Sequence, residues 1–273
     1  MLQALRLISA GGNLSIKTLQ MKYYGLITVR TSSSRLKEKC LLPFGEFDTL
    51  LEHIIARCRY YDLEPIISTS IDASDDIIKE IALINNVKIT RGDLKNKISR
   101  WVKTAKEHEI LFFHTVDADD PFFDGHRMKK SIDFLISQKA DLISPSSISS
   151  SGIGSEGYSI KSEWLKSSKF INDPNLDTEM INDFVFDEDT STLTFDNDLL
   201  WVNSDFNPRL TLDYIEDYVM MNSIANILGN FANSTEIHLF FKKNPDWYLI
   251  NHFRNLEWKK IQNSKSKSKL HDI

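Results

Sequence analysis

Only two cysteines, Cys40 and Cys58, occur in 273 residues, and neither lies in a CxxC pair. A disulfide framework is excluded, and a reducing cytoplasm is the compartment that fits. No apolar run approaches the roughly 20 residues that a membrane-spanning helix needs, so no membrane partner is expected. Positive charge is not in excess: 33 Lys and Arg stand against 38 Asp and Glu, for a net charge of −5 and a pI near 5.8. Nucleic-acid binding by bulk charge has no support, and any anion site must be local. GxxxxGK[ST], GxSxG and HExxH are all absent, and the one GxGxxG spacing, Gly152 to Gly157, lies within a Ser- and Gly-rich stretch rather than directly between a strand and a helix. The usual phosphate loop, a dinucleotide fingerprint in its strand–turn–helix context, the hydrolase elbow and the zinc helix are therefore missing. The 7 histidines are scattered, and His114, inside an apolar run, reads as a core or edge residue.

What remains is an ordinary globular composition, 41% hydrophobic and 26% charged. The length suits one large α/β domain or two small ones. The organising stretch is Gly25 to Leu42. Leu26-Ile27-Thr28-Val29 reads as a buried strand that ends in Arg30. Thr31-Ser32-Ser33-Ser34 follows, and then Arg35, Lys37 and Lys39. Small hydroxyl residues let backbone N–H groups approach phosphates, and clustered cations neutralise them. On spacing alone a solvated surface loop fits equally well.

Strand and helix signals then alternate. Asp48 is expected to cap a helix reaching Tyr61, and Pro65 to Thr69 is a second strand. Ser74 is expected to cap a helix carrying Ile77, Ile78, Ile81 and Ala82. Val87 to Thr90 is a third strand, closed by Arg91-Gly92-Asp93, and a helix covers Leu94 to Glu107 with Trp101 on its apolar face. Ile110 to Val116 is a fourth strand running into Asp117-Ala118-Asp119-Asp120-Pro121. A helix over Gly125 to Ser137 and a fifth strand, Ala140 to Ser144, complete this half. The alternation predicts βαβ units and a mainly parallel sheet. Ligands bind such sheets at the carboxyl ends of the strands, where Arg30, Arg91 and Asp117 to Asp120 all fall. The Ser- and Gly-rich stretch from Pro145 to Gly157 predicts a long loop. Acidic loops at Asp173 to Asp177 and Asp187 to Asp189 follow it. Arg209 to Asp217 leads into a helix to about Leu228, and Ile237 to Phe241 and a helix-like Asp246 to Trp258 close the fold. Residues 1–21 read as a loosely attached extension, 22–258 as the folded domain, and 259–273 as a flexible basic tail.

Asp119 directly follows a buried strand and is a hard oxygen donor suited to Mg²⁺ bridging phosphates. Asp117 and Asp120 add to the local field, although Asp-Pro also favours a plain turn. Asp213 with Glu216 fits an N-cap with a reciprocal acid three residues on.

Together these segments resemble the cytidylyltransferases of the spore-coat polysaccharide type, relatives of the 3-deoxy-manno-octulosonate and N-acylneuraminate cytidylyltransferases. The opening pattern of that family is matched by Val29-Arg30, Ser33-Ser34-Arg35-Leu36 and Lys39. Its strand-end Thr and acidic helix start resemble Ser68-Thr69 and Asp75-Asp76. Arg91-Gly92, Arg100, Asp119-Asp120-Pro121 and Gly152 to Glu156 match weaker motifs. Arg209 to Asp217 matches R-L-T-x-D-x-x-E-D at every fixed position, and Asn244-Pro245 resembles a late Asn-Pro. There are departures: Lys37-Glu38 replaces a usual Pro-Gly, and Glu179-Met180 stands where Glu-His is common.

The resemblance implies a three-layer, mainly parallel Rossmann-like sheet of the nucleotide-diphospho-sugar transferase type. It implies transfer of CMP from CTP to a sugar or sugar-acid acceptor, with release of pyrophosphate. Arg35, Lys39 and Asp119 would be catalytic. Arg30, Ser33, Ser34, Thr69 and Arg91 would bind the nucleotide. Arg100, Glu156 and Glu179 would face the acceptor. Asp119 and Asp213 would hold Mg²⁺, which makes Asp213 both cap and ligand. Related enzymes are often homodimers, with the region after Pro145 as the expected interface. Two alternatives stay open. Asp117-Ala118-Asp119 is also a DxD, as in metal-dependent GT-A-type glycosyltransferases, and the altered phosphate loop suits a non-catalytic nucleotide-binding relative.

Overall fold

The structure is a computed structural model that describes residues 21–146, 156–166, 176–178, 181, 191–192, 196–204, 208–258 and 260. The expected N-terminal extension up to residue 20, most of the Ser- and Gly-rich loop, the second acidic loop, Glu179 and nearly all of the basic tail lie outside the described residues.

Strands β1 (Tyr23–Thr28), β2 (Leu63–Ser70), β3 (Lys88–Gly92), β4 (Phe112–Asp117), β5 (Leu142–Ser144), β6 (Ser159–Lys161) and β7 (Ser191–Thr192) form one sheet. The sheet is 7-stranded, in the order β3-β2-β1-β4-β6-β5-β7. β1 pairs in parallel with β2 and β4, as β2 does with β3 and β5 with β7. β6 runs antiparallel to both β4 and β5. The fold is thus α/β and mainly parallel, as expected, with one reversed strand. β6 and β7 are too short to leave a period in the sequence.

The chain starts at β1, builds outward through β2 and β3, then crosses back to lay β4 on the other side of β1. The strand order reverses there, and Thr28 lies opposite Asp117 at the carboxyl ends of the two strands. Such a reversal opens the crevice in which open α/β sheets bind ligands.

Alternation along the strands sends neighbours to opposite faces. Ile27, Ile67 and Val116 join one core with Leu51 and Ile54 of α1 (Leu50–Tyr60), Ile78 and Ile81 of α2 (Asp76–Ile84), and Met221 and Ile224 of α7 (Ile215–Leu228). Leu26, Ile66 and Phe113 join the other core with Ile98 and Trp101 of α3 (Lys97–Glu107) and Leu165 of α5 (Ser162–Lys166). α4 (Gly125–Gln138) packs Leu135 on Ile143, and α6 (Asp196–Val202) and α8 (Ser234–Lys243) complete the described helices. The Ile237 to Phe241 segment is the middle of α8. The stretch after Asn244 begins as a 3₁₀ turn, Pro245–Ile250, and is helical again over 253–258.

Two caps differ from expectation. Thr49, not Asp48, caps α1: its hydroxyl accepts from Glu52 N–H at 3.1 Å. Asp72, not Ser74, accepts the free N–H of Ser74 at 2.9 Å, and a 3₁₀ turn, Ala73–Asp75, leads into α2. In each case the role falls to the residue whose backbone is extended immediately before the first turn, Thr49 at ψ 152° and Asp72 at ψ 138°.

Candidate active site

The segment leaving β1 is fixed at its first polar residue. Thr31 donates through both its N–H and its hydroxyl to Asp75 Oδ1, each at 2.8 Å. Asp75 Oδ2 accepts the hydroxyls of Thr69, at 3.2 Å, and Ser70, at 2.5 Å, from the end of β2. Asp75 is fully buried, so one carboxylate joins the ends of β1 and β2. The loop then turns, with Ser33 N–H on Thr31 carbonyl at 2.8 Å, and passes through Glu38 in the left-handed region, φ 51°. A short 3₁₀ turn, Lys39–Leu41, buries Cys40 and aims Lys39 back toward β4. Burial pushes the Cys40 thiol up to about 12, which leaves it an inert core group.

Lys39 is where the distant segments meet. Its ammonium donates to Asp119 Oδ2 at 2.6 Å, Leu212 carbonyl at 2.8 Å and Asp213 Oδ1 at 2.9 Å. Arg35 Nη2 reaches the same Asp213 Oδ1 at 2.7 Å. The other Asp213 oxygen takes Arg209 Nη2 at 2.6 Å. Burial opposes the charged form of Asp119, but Lys39 and then Lys97 outweigh it and hold this carboxyl below the usual carboxylate range. Burial likewise opposes the charge on Lys39, yet Asp119 and Asp213 raise it above the ordinary lysine value. Both groups are therefore ionised at neutral pH. The backbone fixes the same meeting point, since Leu212 N–H donates to Asp119 carbonyl at 2.8 Å and Thr211 hydroxyl to Asp120 Oδ1 at 2.8 Å.

The sequence model of the cytidylyltransferase family matches residues 24–183. The chain belongs to that family. A curated relative, an uncharacterised protein of Methanocaldococcus jannaschii, is 28% identical over 131 residues, covering 47% of this chain and 53% of its own. The match spans about half the length of that relative. Among solved structures, a cytidylyltransferase of Leptospira borgpetersenii serovar Hardjo-bovis aligns with a TM-score of 0.70 at 23% identity, over 84% of this chain and 97% of its own. A CMP:2-keto-3-deoxy-manno-octonic acid synthetase complexed with CTP aligns with a TM-score of 0.51 at 12% identity, over 75% of this chain and 98% of that one. A Mycobacterium tuberculosis H37Rv protein solved with manganese gives 0.51 at 11%, over 74% and 99%. At these identities the structures establish the fold, an open Rossmann-like sheet of the nucleotide-sugar transferase type.

In this cytidylyltransferase-family chain, Asp213 departs from its expected role as a cap. α7 starts two residues later, and Asp217 is the reciprocal acid. Asp217 Oδ2 accepts from Asp213 N–H and Tyr214 N–H, both at 2.9 Å, and from Arg209 Nε at 3.1 Å. Glu216, the acid expected there, instead pairs with Arg254 at 2.8 Å. Freed from capping, Asp213 turns both oxygens to cations.

The remaining sequence-predicted residues divide. Ser33 is half-buried and Ser34 exposed on the loop. Arg30 Nη1 donates to Leu94 carbonyl at 2.7 Å, tying the β1 exit to the β3–α3 loop. Arg91 clamps the turn before α2, through Ser70 and Asp72 carbonyls and Asp76 at 2.5 Å. Arg100 is buried and donates to Asp93 and Leu94 carbonyls at 2.5 and 2.9 Å, so it supports that loop from beneath. Glu156 accepts from Arg127 at 2.9 Å and from Ser146 N–H at 2.6 Å. Here Arg100 and Glu156 brace loops; neither is presented as an open contact. Asp120 is likewise buried on Thr211. Asp117 pairs with Lys97 at 3.0 Å, a lysine that nothing in the sequence but the helix start marks. Asp75, Arg209 and Asp217 sat inside quoted motifs, yet their roles depend on partners distant in sequence.

Among the described residues no group of three or more His, Cys, Asp and Glu could hold a metal. A Mg²⁺ site that completes itself with substrate phosphates needs only one or two carboxylates. Asp119 and Asp213 fit that demand, because both reach a single cation, the Lys39 ammonium, together with Leu212 carbonyl.

Proposed function

We propose that this chain transfers CMP from CTP to a sugar or sugar acid, releasing pyrophosphate, in CMP-sugar synthesis for surface glycans. The observation that carries the reading is the convergence of Arg35 and Lys39 with Asp119 and Asp213 at the β1–β4 crevice. An acceptor hydroxyl oxygen attacks the α-phosphorus, the bond from that phosphorus to the bridging oxygen breaks, and the electron pair leaves with pyrophosphate. The hydroxyl proton passes to solvent. Ser33, Ser34 and loop N–H groups hold the β- and γ-phosphates, with Arg30, Thr69 and Arg91 lining the nucleotide side. Arg35 and Lys39 offset the charge that grows on the leaving group, where positioning and electrostatics dominate catalysis. Mg²⁺, when bound, is held by Asp119 and Asp213 and supplies electrophilic polarisation of the α-phosphate. Arg100 and Glu156 shape the acceptor side as supports, with Glu179 as the family-inferred contact. The working unit is 22–258, acting in the cytoplasm as a homodimer.

The fold neighbours solved with CTP and with manganese are consistent with this reading. The glycosyltransferase alternative has less support, because the two carboxylates of Asp117-Ala118-Asp119 go to different lysines, Lys97 and Lys39.

Thermal unfolding with CTP, UTP, ATP or GTP, each with and without Mg²⁺, tests the proposal. A ligand at a hundred times its Kd adds about 2.7 kcal/mol, or roughly 5–10 °C for a chain of this size at about 2–4 °C per kcal/mol. A Mg²⁺-dependent rise specific to CTP is expected, followed by pyrophosphate release in an acceptor screen. Asp119→Ala should abolish that release while leaving the fold intact, as judged by a cooperative thermal transition. A shift with a nucleotide sugar and Mn²⁺, but with no triphosphate, would favour the glycosyltransferase. CTP binding without turnover on any acceptor would favour a non-catalytic relative.

A further inference from the structure

Lys39 is fully committed before any ligand arrives. An ammonium has three N–H donors, and those of Lys39 meet three oxygens, on Asp119, Leu212 and Asp213, at 2.6 to 2.9 Å. Two of these oxygens belong to the carboxylates that would hold the metal. Asp213 is engaged further, by Arg35 on the same oxygen and by buried Arg209 on the other. The carboxylate pair is thus already neutralised from within the protein.

A magnesium ion would need carboxylate oxygen at about 2.1 Å. An ammonium and a divalent cation on the same oxygens repel as like charges. For a bare ion the exchange gains little, since it strips Lys39 of its partners and offers none in return. A triphosphate changes the balance, because its oxygens give the ammonium and the Arg35 guanidinium new partners.

We propose that Lys39 is the resident cation of the Asp119–Asp213 pair, and that it yields this place to a divalent ion only when a nucleoside triphosphate draws its ammonium away. Lys39 therefore has two stations, one on the carboxylates and one on the phosphates. Metal uptake is suppressed until nucleotide is present. This rests on the reading of Asp119 and Asp213 as metal ligands for nucleotidyl transfer. It adds that the chain guards that site against metal alone.

Coupling between metal and nucleotide in the wild type cannot by itself test the idea, since a triphosphate binds metal in any case. The discriminating quantity is metal affinity without nucleotide. Mn²⁺ binding to the full chain is followed by the loss of the free-ion electron paramagnetic resonance signal. Wild type, Lys39→Met, Lys39→Gln and the Lys39→Met/Asp119→Asn double variant are compared. Removing the resident cation should tighten nucleotide-free Mn²⁺ binding by about tenfold or more, and adding Asp119→Asn should reverse the gain. Lys39→Gln keeps a neutral donor in place of the ammonium and serves if the methionine variant does not fold.

Equal or weaker Mn²⁺ binding in the folded Lys39 variants would overturn the proposal. So would a gain that survives Asp119→Asn, because the ion would then sit elsewhere. The cytidylyltransferase reading fails separately. A Lys39 variant that gains Mn²⁺ while no acceptor yields pyrophosphate supports the exchange and removes the reaction. Turnover with CTP but no gain in the variants does the reverse.

Discussion

Asp75 sets where the loop after β1 begins. Its two oxygens take the N–H and hydroxyl of Thr31 and the hydroxyls of Thr69 and Ser70, all out of solvent. Asp75→Ala leaves those donors to find partners among themselves. A buried donor without an acceptor costs about 1–3 kcal/mol, and the hydroxyls can turn, so the expected loss is about 2–4 kcal/mol in urea unfolding. If the proposed nucleotide site is right, CTP affinity should fall with it, because Asp75 ties Thr31, at the start of the loop, to Thr69, at the end of β2. Asp75→Asn is the informative companion. Its Oδ1 still accepts from Thr31, and its amide donates to hydroxyls that rotate to accept, so the loss should stay near 1 kcal/mol. A wild-type stability for the alanine variant would mean that water replaces the carboxylate. The sequence marked Asp75-Asp76 as an acidic helix start, but its partners lie as far away as Thr31. Chain order could not show that one of the two acids faces inward and the other pairs with Arg91 at the surface.

At the scale of elements, the stretch from Arg209 into α7 works as a bracket that presents Asp213. Arg209 is buried between Asp213 and Asp217, and Asn251 Nδ2 closes the bracket by donating to Asp217 Oδ1 at 2.9 Å. Removing one partner of a buried pair costs about 3–5 kcal/mol. Asp217→Ala should therefore lose about that much and misplace Asp213, with turnover lost along with stability. Glu216→Ala, one residue away, breaks only a solvent-facing pair with Arg254 and should cost under about 1 kcal/mol. Differential calorimetry of the two variants checks the contrast, and equal losses would remove the bracket.

The comparison also marks what was legible in the sequence. The long strands, β1 to β4, and the helices between them follow from apolar periodicity, and so does the placing of Arg30, Arg91 and Asp117 to Asp120 at one edge. The identity of the reciprocal acid was not legible, because a helix start displaced by a residue or two moves the role from Glu216 to Asp217. Nor were β6 and β7, which are held by their neighbours in the sheet and carry no period of their own.

The whole molecule has an acid limit that follows from two histidines outside the reaction. His53 lies between the rings of Phe44 and Phe47 and donates from Nε2 to Pro121 carbonyl at 2.9 Å, beside the Asp119-Asp120 turn. His114, the histidine expected in the core, donates from Nε2 to Glu156 carbonyl at 2.7 Å, which leaves Nδ1 to accept from Ser159 hydroxyl at 2.8 Å. Both are fully buried. Burial pulls His53 down to about 4 and His114 down to about 3 from the ordinary 6.5. The unfolded chain takes up these protons as pH falls below 6.5 and the folded chain does not, so acid favours unfolding. The stability these groups contribute is complete above pH 6.5 and is lost as pH falls toward their folded values. Each histidine adds a slope approaching about 1.4 kcal/mol per pH unit once the pH is well below 6.5. Urea unfolding at pH 7, 6 and 5 should show the midpoint falling at an increasing rate. His114→Gln keeps a donor and an acceptor but no titrating ring. It should lower stability at pH 7 and yet flatten the decline by one proton's share. A decline as steep as in the wild type would mean that His114 takes up its proton while β4 and β6 are still paired.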